Sequence, residues 1–466
     1  MTHSDFTSPE LTADTLHTEL GRLMPEVIER WRTLVAIPSI AWPSYPAQEL
    51  RRSAEQVADF ARRVGFETVE VLTAARPDGT EGYPAVIARK PAPAGRPTIV
   101  LYGHHDVQPV GDESLWDTPP FELTQRGDRV FGRGASDDKA GVMVHLTALE
   151  LLGDRLGVGV TMFIEGEEEA GSPSFSDFIH RYRDRLAGDV IVVADSGNWA
   201  PGEPALTASL RGMVALEFTV RTLDHAVHSG MYGGLVPDAG LALTRLLASL
   251  HTADGSVAVA GLVSNTTGGV EYAEDVLRAD SGILPTSEFI GHGPLSSRVW
   301  NQPSLTVIGV DLPSVDHSSN TLQPAARAKV SMRLAPGQDP QAALAALKEH
   351  LRANVSFGAQ VEFGAAEAGS PWSADPHDPV VETAHAALSE GFGHPSVAMG
   401  LGGSIPFIAD LLEVFPSASI LVTGVEDPDS RAHSANESQY LPDLRNAIVS
   451  EALLLDKLAR GRAEGE

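Results

Sequence analysis

The sequence contains no cysteine, which excludes disulfide bonds, thiol catalysis and metal ligation by thiolates. It is also short of basic residues, because 34 lysines and arginines stand against 62 aspartates and glutamates and give a formal net charge of −28. A protein that binds nucleic acid needs a basic face to neutralise phosphates, so this balance argues against a nucleic-acid partner. Any metal ion must then be held by histidine, aspartate and glutamate.

Long apolar runs are missing as well. No stretch approaches the roughly 18 consecutive apolar residues that cross a bilayer, so no membrane partner is expected. Residues 1–10 are polar, and no basic run leads into an apolar one, so we predict no secretory signal and expect a cytoplasmic location. The chain does have 466 residues with a hydrophobic fraction of 42%, which suits a globular protein of two domains.

The first 200 residues or so alternate between helical and extended patterns. Apolar residues recur at helical spacing in some segments, and the short apolar runs between them are typical of buried strands. The predicted helices are 13–35, 48–64 and 140–152, and the predicted strands are 85–88, 98–102, 158–164 and 190–194. This alternation predicts a layered α/β domain with a mixed, largely parallel sheet.

The pattern changes near residue 205. Predicted strands at 213–220, 304–310, 327–334 and 360–365 combine with helices at 237–250 and 339–353 in a β-α-β-β-α-β order, which is typical of a small α+β module of two layers. A helix at 380–391 and a strand at 419–423 then resume the first pattern after a polar linker at 368–379. The sequence therefore predicts one domain from 1–206 and 371–466, interrupted by an inserted module at 207–370.

Acidic and histidine-bearing motifs follow the predicted strands, where open α/β sheets place their sites. These motifs are Gly103-His104-His105-Asp106, Ser136-Asp137-Asp138, Glu167-Glu168-Glu169, Asp195-Ser196-Gly197 and Ala432-His433-Ser434. Each alone has an ordinary explanation as a surface turn, a helix N-cap, a solvated acidic loop or a structural histidine. Together they supply enough histidines and carboxylates for two metal ions that share a bridging carboxylate.

These ordered motifs resemble those of the M20 metallopeptidases, a group of dipeptidases, carboxypeptidases and aminoacylases with two metal ions. Tyr102-Gly-His-His-Asp-Val-Gln-Pro109 resembles the family's metal-histidine motif, and Gly132-Arg-Gly-Ala-Ser-Asp-Asp-Lys139 resembles its bridging-aspartate motif. Glu165-Gly-Glu-Glu-Glu-Ala-Gly-Ser172 is similar to the catalytic-glutamate motif, and Trp300-Asn-Gln-Pro-Ser-Leu305 is similar to the dipeptidase branch. The resemblance extends from about Leu34 to Leu455 and implies a catalytic domain of the zinc-exopeptidase type.

The resemblance also implies a set of metal ligands. His104, Asp137 and Asp195 would hold one ion, and Asp137 would bridge to a second ion completed by Glu169 and His433. Three carboxylates and two histidines suit zinc first, with manganese or cobalt as alternatives. In the family the peptide bond between the two aspartates is cis, so the bond between Asp137 and Asp138 is expected to be cis.

Further roles follow from the same resemblance. Glu168 would be the general base, and Asp106 would orient His104. The inserted module would be a lid and dimerisation domain, so a homodimer is expected, with His228 entering the partner's active site. The apolar faces of 213–220 and 241–250 are expected to pair with a twofold copy of the module.

The implied reaction is the metal-dependent hydrolysis of an amide bond next to a free carboxylate, most simply that of a dipeptide. Arg333 would bind the substrate carboxylate with its planar fork, and Thr321, Gly403 and Ser404 match positions that bind the substrate backbone. One departure keeps an alternative open: Leu401 stands where the dipeptidase branch commonly has a glutamate. An N-acyl- or N-carbamoyl-amino-acid amidohydrolase therefore remains the alternative, and a non-catalytic, cation-binding dimer is a distant one.

Overall fold

The computed structural model describes residues 11–267, 269–403 and 406–461. Its helices are α1 (Ala13–Val35), α2 (Ala47–Arg63), α3 (Lys139–Leu152), α4 (Phe175–Arg181), α5 (Arg183–Leu186), α6 (Ser229–Tyr232), α7 (Ala239–Ala248), α8 (Glu274–Ser281), α9 (Leu295–Trp300), α10 (Pro340–Asn354), α11 (Pro379–Phe392), α12 (Pro406–Val414) and α13 (Leu441–Gly461). Within the described ranges, none of these helices combines the length and apolarity required to cross a bilayer.

The strands are short and distributed over most of the chain. They are β1 (Thr68–Leu72), β2 (Ala85–Lys90), β3 (Thr98–His104), β4 (Thr124–Arg126), β5 (Arg129–Phe131), β6 (Gly159–Glu165), β7 (Val190–Val193), β8 (Ala205–Leu210), β9 (Gly212–Arg221), β10 (Val227–His228), β11 (Ser304–Asp311), β12 (Thr321–Leu322), β13 (Ala325–Leu334), β14 (Gln360–Gly369), β15 (Trp372–Ser373), β16 (Val397–Leu401), β17 (Ser419–Val422) and β18 (Ser438–Tyr440).

The described chain divides into two compact units. The first holds the described residues of Met1–Ala208, Ala374–Ala398 and Asp410–Glu466, and the second holds those of Ser209–Ser373 and Met399–Ala409. The second unit therefore includes a short stretch, Met399–Ala409, that lies outside the insertion predicted at 207–370.

A mixed sheet forms the centre of the first unit. Its order includes β1-β2-β6-β3-β7-β17-β8, and the four central strands β6, β3, β7 and β17 are parallel to one another. The strands β1, β2 and β8 join this centre in antiparallel fashion. All residues of β6 and β7 are buried, as is typical of strands covered on both faces. The predicted mixed and largely parallel α/β fold is confirmed.

Helices cover this sheet because their apolar residues repeat at helical spacing. Helix α1 buries Leu16, Leu20, Val27 and Trp31, and it begins after Thr12, whose hydroxyl accepts a hydrogen bond from a backbone N–H of the first turn. Helix α3 is buried along nearly its whole length, because it packs against both α1 and α13. The apolar pattern of the sequence predicted α1 and α3, whereas the long helix α13 was not predicted.

An antiparallel sheet of order β11-β13-β9-β14 forms the second unit, with α7 and α10 packed on one face. The chain order β9-α7-β11-β13-α10-β14 is the predicted β-α-β-β-α-β arrangement. The expectation that the apolar face of 213–220 pairs with a second copy is wrong. Strand β9 lies between β13 and β14, and Val214, Leu216 and Phe218 are buried in the unit's own core, so this face is not available to a second copy.

Candidate metal centre

The candidate metal centre of the first unit lies where its parallel strands end. His104 is the last residue of β3 and is paired in register with Glu165, the last residue of β6. Asp195 follows β7, which also runs parallel to β3. Because parallel strands present their carboxyl ends at the same edge of a sheet, side chains distant in sequence converge there.

Two groups of possible metal ligands lie side by side. His104, Glu168 and Asp195 form one group, and Asp137, Glu169 and His433 form the other, with the ligand atoms of each group within 4.8 Å of one another.

Asp137 stands between the two groups. One carboxylate oxygen lies 3.1 Å from His104 Nε2, and the other lies 2.9 Å from His433 Nε2. His433 Nε2 also lies 3.1 Å from a Glu169 oxygen, and His104 Nε2 lies 3.9 Å from an Asp195 oxygen. A single carboxylate that faces both histidines has the placement required of a ligand shared by two ions.

Asp106 holds two parts of the centre in place. His104 Nδ1 lies 3.2 Å from the backbone oxygen of Asp106 and 3.4 Å from its carboxylate. The same carboxylate accepts hydrogen bonds from the backbone N–H groups of Glu168 and Glu169, at 3.2 and 3.0 Å. Because Nδ1–H donates to Asp106, neutral His104 presents the lone pair of Nε2 to the centre.

Crowded negative charge dominates the electrostatics. Burial and the neighbouring charge of Asp195 raise the pKa of Glu168 to about 9, and burial and Asp137 raise the pKa of Glu169 to about 7. Hydrogen bonds to Asp137 and Glu169 raise the pKa of His433 to about 11. Carboxylates held this closely need compensating positive charge, so the donor set fits divalent cations.

A buried glutamate that the sequence analysis missed fixes the backbone around Asp137. One oxygen of Glu437 accepts hydrogen bonds from the N–H groups of Ser136 and Asp137, at 2.9 and 3.1 Å, and the other accepts from Gly134 N and Arg133 Nη1, at 3.1 and 2.6 Å. Arg133 and Glu437 are both almost fully buried. Only its place four residues after His433 pointed to Glu437 in the sequence.

Asp138 is a second support. Its carboxylate accepts a hydrogen bond from the backbone N–H of His104 at 3.0 Å. A Cβ at Gly103 or Gly141 would lie 2.6 or 2.1 Å from that carboxylate, so both positions require glycine. The peptide bond between Asp137 and Asp138 is cis, which confirms the expectation drawn from the resemblance.

Glu426 is a further carboxylate that the sequence analysis missed. Burial, and then the charge of Asp137, raise its pKa well above the ordinary range. Its Oε1 is buried and has no hydrogen-bond partner among the described residues. Nothing in the sequence marked it, because it stands after β17 beside other acids, Asp427 and Asp429, in a short polar segment. A buried carboxylate oxygen without a donor is further reason to expect cations in this region.

The predicted catalytic residue His228 and the described residues predicted to bind substrate lie in the second unit. His228 and Thr321 are register partners in the small ladder of β10 and β12. His228 is exposed, and its Nδ1 accepts a hydrogen bond from Gly230 N at 3.0 Å, so the neutral ring carries its proton on Nε2. Arg333 lies on β13, Gly403 follows β16, and Ser404 lies outside the described residues.

The chain is similar in sequence to known proteins. A sequence match to Peptidase family M20/M25/M40 spans residues 100–457. The chain is 34% identical to the cysteinylglycine-S-conjugate dipeptidase of Corynebacterium striatum, over 79% of this chain and 83% of that protein. It is 28% identical to the beta-Ala-His dipeptidase of Rattus norvegicus, over 88% of each.

The fold is similar to that of human carnosine dipeptidase 1, with a TM-score of 0.75, 24% identity and coverage of 97% of this chain and 100% of that one. The sequence match covers most of the chain and includes every residue of the two ligand groups. The chain therefore belongs to peptidase family M20/M25/M40.

Proposed function

We propose that the protein is a dipeptidase with two divalent metal ions, which hydrolyses the amide bond next to a free carboxylate. The observation that carries this proposal is the position of Asp137, whose two carboxylate oxygens face His104 and His433. The relatives named above as dipeptidases support the choice of substrate. We propose the first unit as the catalytic domain and the second as the lid and dimerisation domain.

In the proposed site, His104, Asp137 and Asp195 hold one ion, and Asp137, Glu169 and His433 hold the other. Zinc is the first choice for this set of imidazoles and carboxylates, with manganese or cobalt as alternatives. When bound, such a pair of ions lowers the pKa of water and stabilises negative charge on a carbonyl oxygen.

The chain's own residues move the protons. Glu168 belongs to the same group as His104 and Asp195, and Asp106 holds its backbone in place. We propose that Glu168 accepts a proton from the attacking water and returns one to the leaving amine.

Substrate binding is assigned to the second unit. Arg333 binds the substrate carboxylate through the two parallel N–H groups of its fork, and Thr321, Gly403 and Ser404 bind the substrate backbone. His228 of the partner subunit donates its Nε2–H to the developing oxyanion. Support for the donor role comes from the Nδ1 hydrogen bond, which leaves the proton on the opposite ring nitrogen.

A homodimer is part of the proposal. Strand β11 lies at one end of the second unit's sheet and exposes the apolar side chains of Val307, Ile308 and Val310. An exposed apolar edge strand is suited to pairing with another strand, and a twofold copy presents the same edge.

A second candidate keeps the same chemistry. The apolar Leu401 stands where a carboxylate would meet a substrate ammonium, so an N-acyl- or N-carbamoyl-amino acid would fit the amino-terminal side. Both candidates require the carboxylate on the other side of the bond.

A substrate panel separates the candidates. The protein, loaded with Zn²⁺, Mn²⁺ or Co²⁺, is assayed with dipeptides, the same dipeptides amidated at the C-terminus, and N-acetyl- and N-carbamoyl-amino acids. Dipeptides with a free carboxylate are expected to react fastest and the amides poorly. Faster turnover of the acyl or carbamoyl compounds would favour the second candidate. No turnover of any compound would favour the cation-binding dimer.

A further inference from the structure

Arg211 is an almost fully buried arginine of the second unit. It is 8% exposed, and within the described residues it pairs with no aspartate or glutamate. Burial, and then the neighbouring charge of Arg333, lower the pKa of Arg211 to about 10. A buried cation without an anion is costly.

Strand register explains why the two arginines are neighbours. Arg333 on β13 is paired with Met213 on β9 and with Ser304 on β11. Arg211 precedes Met213 by two residues and so lies on the same side of the sheet. This side is opposite the unit's hydrophobic core, which receives Val214, Leu305 and Met332.

The hydrogen bonds of Arg211 set its guanidinium in one orientation. Nε donates to the Gly402 carbonyl oxygen, and Nη1 donates to Ser304 Oγ, both at 3.1 Å. Nη2 makes no hydrogen bond to another described residue, and a Cβ at Gly402 would lie 3.1 Å from it. Two N–H donors of a fixed cation are therefore available beside Gly402, which directly precedes Gly403 of the predicted substrate-binding set.

The number of carboxylates on a substrate can be compared with the two positive charges of Arg211 and Arg333. A single carboxylate fits the fork of one arginine, so an ordinary dipeptide would leave the second cation without an anion. A C-terminal aspartate or glutamate brings a second carboxylate. That group would satisfy the free donors and balance the second charge.

We propose that Arg211 is a specificity-determining residue that, together with Arg333, makes the carboxylate subsite doubly cationic and selects substrates whose C-terminal residue is acidic. The proposal rests on the proposed amidohydrolase function, which it refines by naming the substrate class. Arg211 binds the side-chain carboxylate, and Arg333 binds the main-chain carboxylate.

Matched substrates test it. Ala-Glu and Ala-Gln differ in one carboxylate and are nearly equal in shape, so the ratio of their kcat/KM values isolates the charge. The wild type is expected to favour Ala-Glu about tenfold or more, the scale of one charge-assisted hydrogen bond. In Arg211→Gln this ratio is expected to fall to about one, whereas Arg211→Lys keeps part of it. Arg221→Gln is the control and should keep the wild-type ratio, because Arg221 lies at the far end of β9 and pairs with Glu362 at the surface.

Binding gives a second readout. L-glutamate and L-glutamine are the C-terminal products of the two dipeptides. Calorimetric titration of the metal-loaded protein should show tighter binding of glutamate than of glutamine, and Arg211→Gln should abolish this difference. A wild-type ratio near one, or an Arg211→Gln variant that loses activity on both dipeptides equally and keeps the ratio, would overturn the proposal. Turnover of neither dipeptide, with the glutamate preference in binding preserved, would count against the dipeptidase function and leave the subsite supported.

Discussion

Glu168 and Glu169 are adjacent in sequence, yet their side chains join different groups of ligand atoms. Glu168 lies with His104 and Asp195, and Glu169 lies with Asp137 and His433. Glu169 also accepts hydrogen bonds from the backbone and side chain of Gln108, at 3.1 and 2.7 Å. The adjacent acids are therefore expected to respond differently to the same substitution.

Glu168→Gln should keep both metal ions and lower kcat by roughly 10²-fold or more, because it removes a proton acceptor. Glu169→Gln should instead lower the metal content, because it removes a charged ligand. Metal analysis together with steady-state kinetics on both variants checks this. Wild-type turnover by Glu168→Gln would show that another residue is the base.

A stability prediction concerns the buried pair of Arg133 and Glu437. Glu437→Gln leaves the guanidinium without its anion in a site shielded from water, so unfolding free energy should fall by about 3–5 kcal/mol. Glu362→Gln, in the exposed pair with Arg221, should cost less than about 1 kcal/mol. Denaturant unfolding of the two variants measures both. Equal losses would mean that Glu437 does not carry the support assigned to it.

Some residues of the candidate site could be predicted from the sequence, and others could not. The acids and histidines in recognisable motifs were found, because strand-end position and resemblance both marked them. Glu437 and Glu426 were missed, because their importance depends on which chain segments pack beside them. Asn436 is similar: it holds the loop of His433 by accepting from Asp117 N and donating to the Leu115 carbonyl, more than 300 residues away in sequence.

At the scale of elements, apolar patterning predicted about half of the helices and strands that the structure describes. Helix α1 has the predicted bounds, because its apolar repeat is regular and Pro38 follows it closely. The segment 368–379, predicted as a linker, contains the end of β14 and the strand β15. Strand β16 and helix α12 were not predicted, since glycines interrupt the pattern of that region. Whether such a segment becomes a strand depends on pairing with strands that are distant in sequence, and the local apolar pattern does not show this pairing.

The edge strand β11 gives a prediction at this scale. Ile308 is 54% exposed at a register shift of β11, on the edge proposed to face a second copy. Ile308→Lys places a charge in that contact and should shift the protein from dimer to monomer in light scattering after size-exclusion chromatography. Val276→Lys, which replaces an exposed apolar residue of α8, is the matched control and should stay dimeric. A wild type that is monomeric, or an unchanged Ile308→Lys dimer, would contradict the proposed interface.

For the whole molecule, the sequence predicted the family and the fold, and the comparisons confirm both. It also predicted a homodimer and a cytoplasmic location, and these two stay predictions.

Sharing of active sites between subunits can be tested by complementation. Glu168→Gln and His228→Ala should each be nearly inactive, the second because loss of one oxyanion donor costs ~10²–10³ in rate.

Mixing the two variants and re-pairing their subunits gives heterodimers in which one site has both wild-type residues. Recovery of about a quarter of wild-type activity is expected from random pairing of twofold dimers. Heterodimers that form and show no activity would place His228 in its own subunit's site or in none.

The most direct test of the proposed dinuclear dipeptidase is the number of metal ions per chain at full activity. Protein freed of metal by a chelator is titrated with Zn²⁺ while hydrolysis of a dipeptide and bound metal are measured in the same samples. Activity should be absent at the start, and it should reach its maximum at two ions per chain, because the two ligand groups share Asp137. Full activity without metal, or a maximum at one ion per chain with no second ion bound, would contradict the two-metal site.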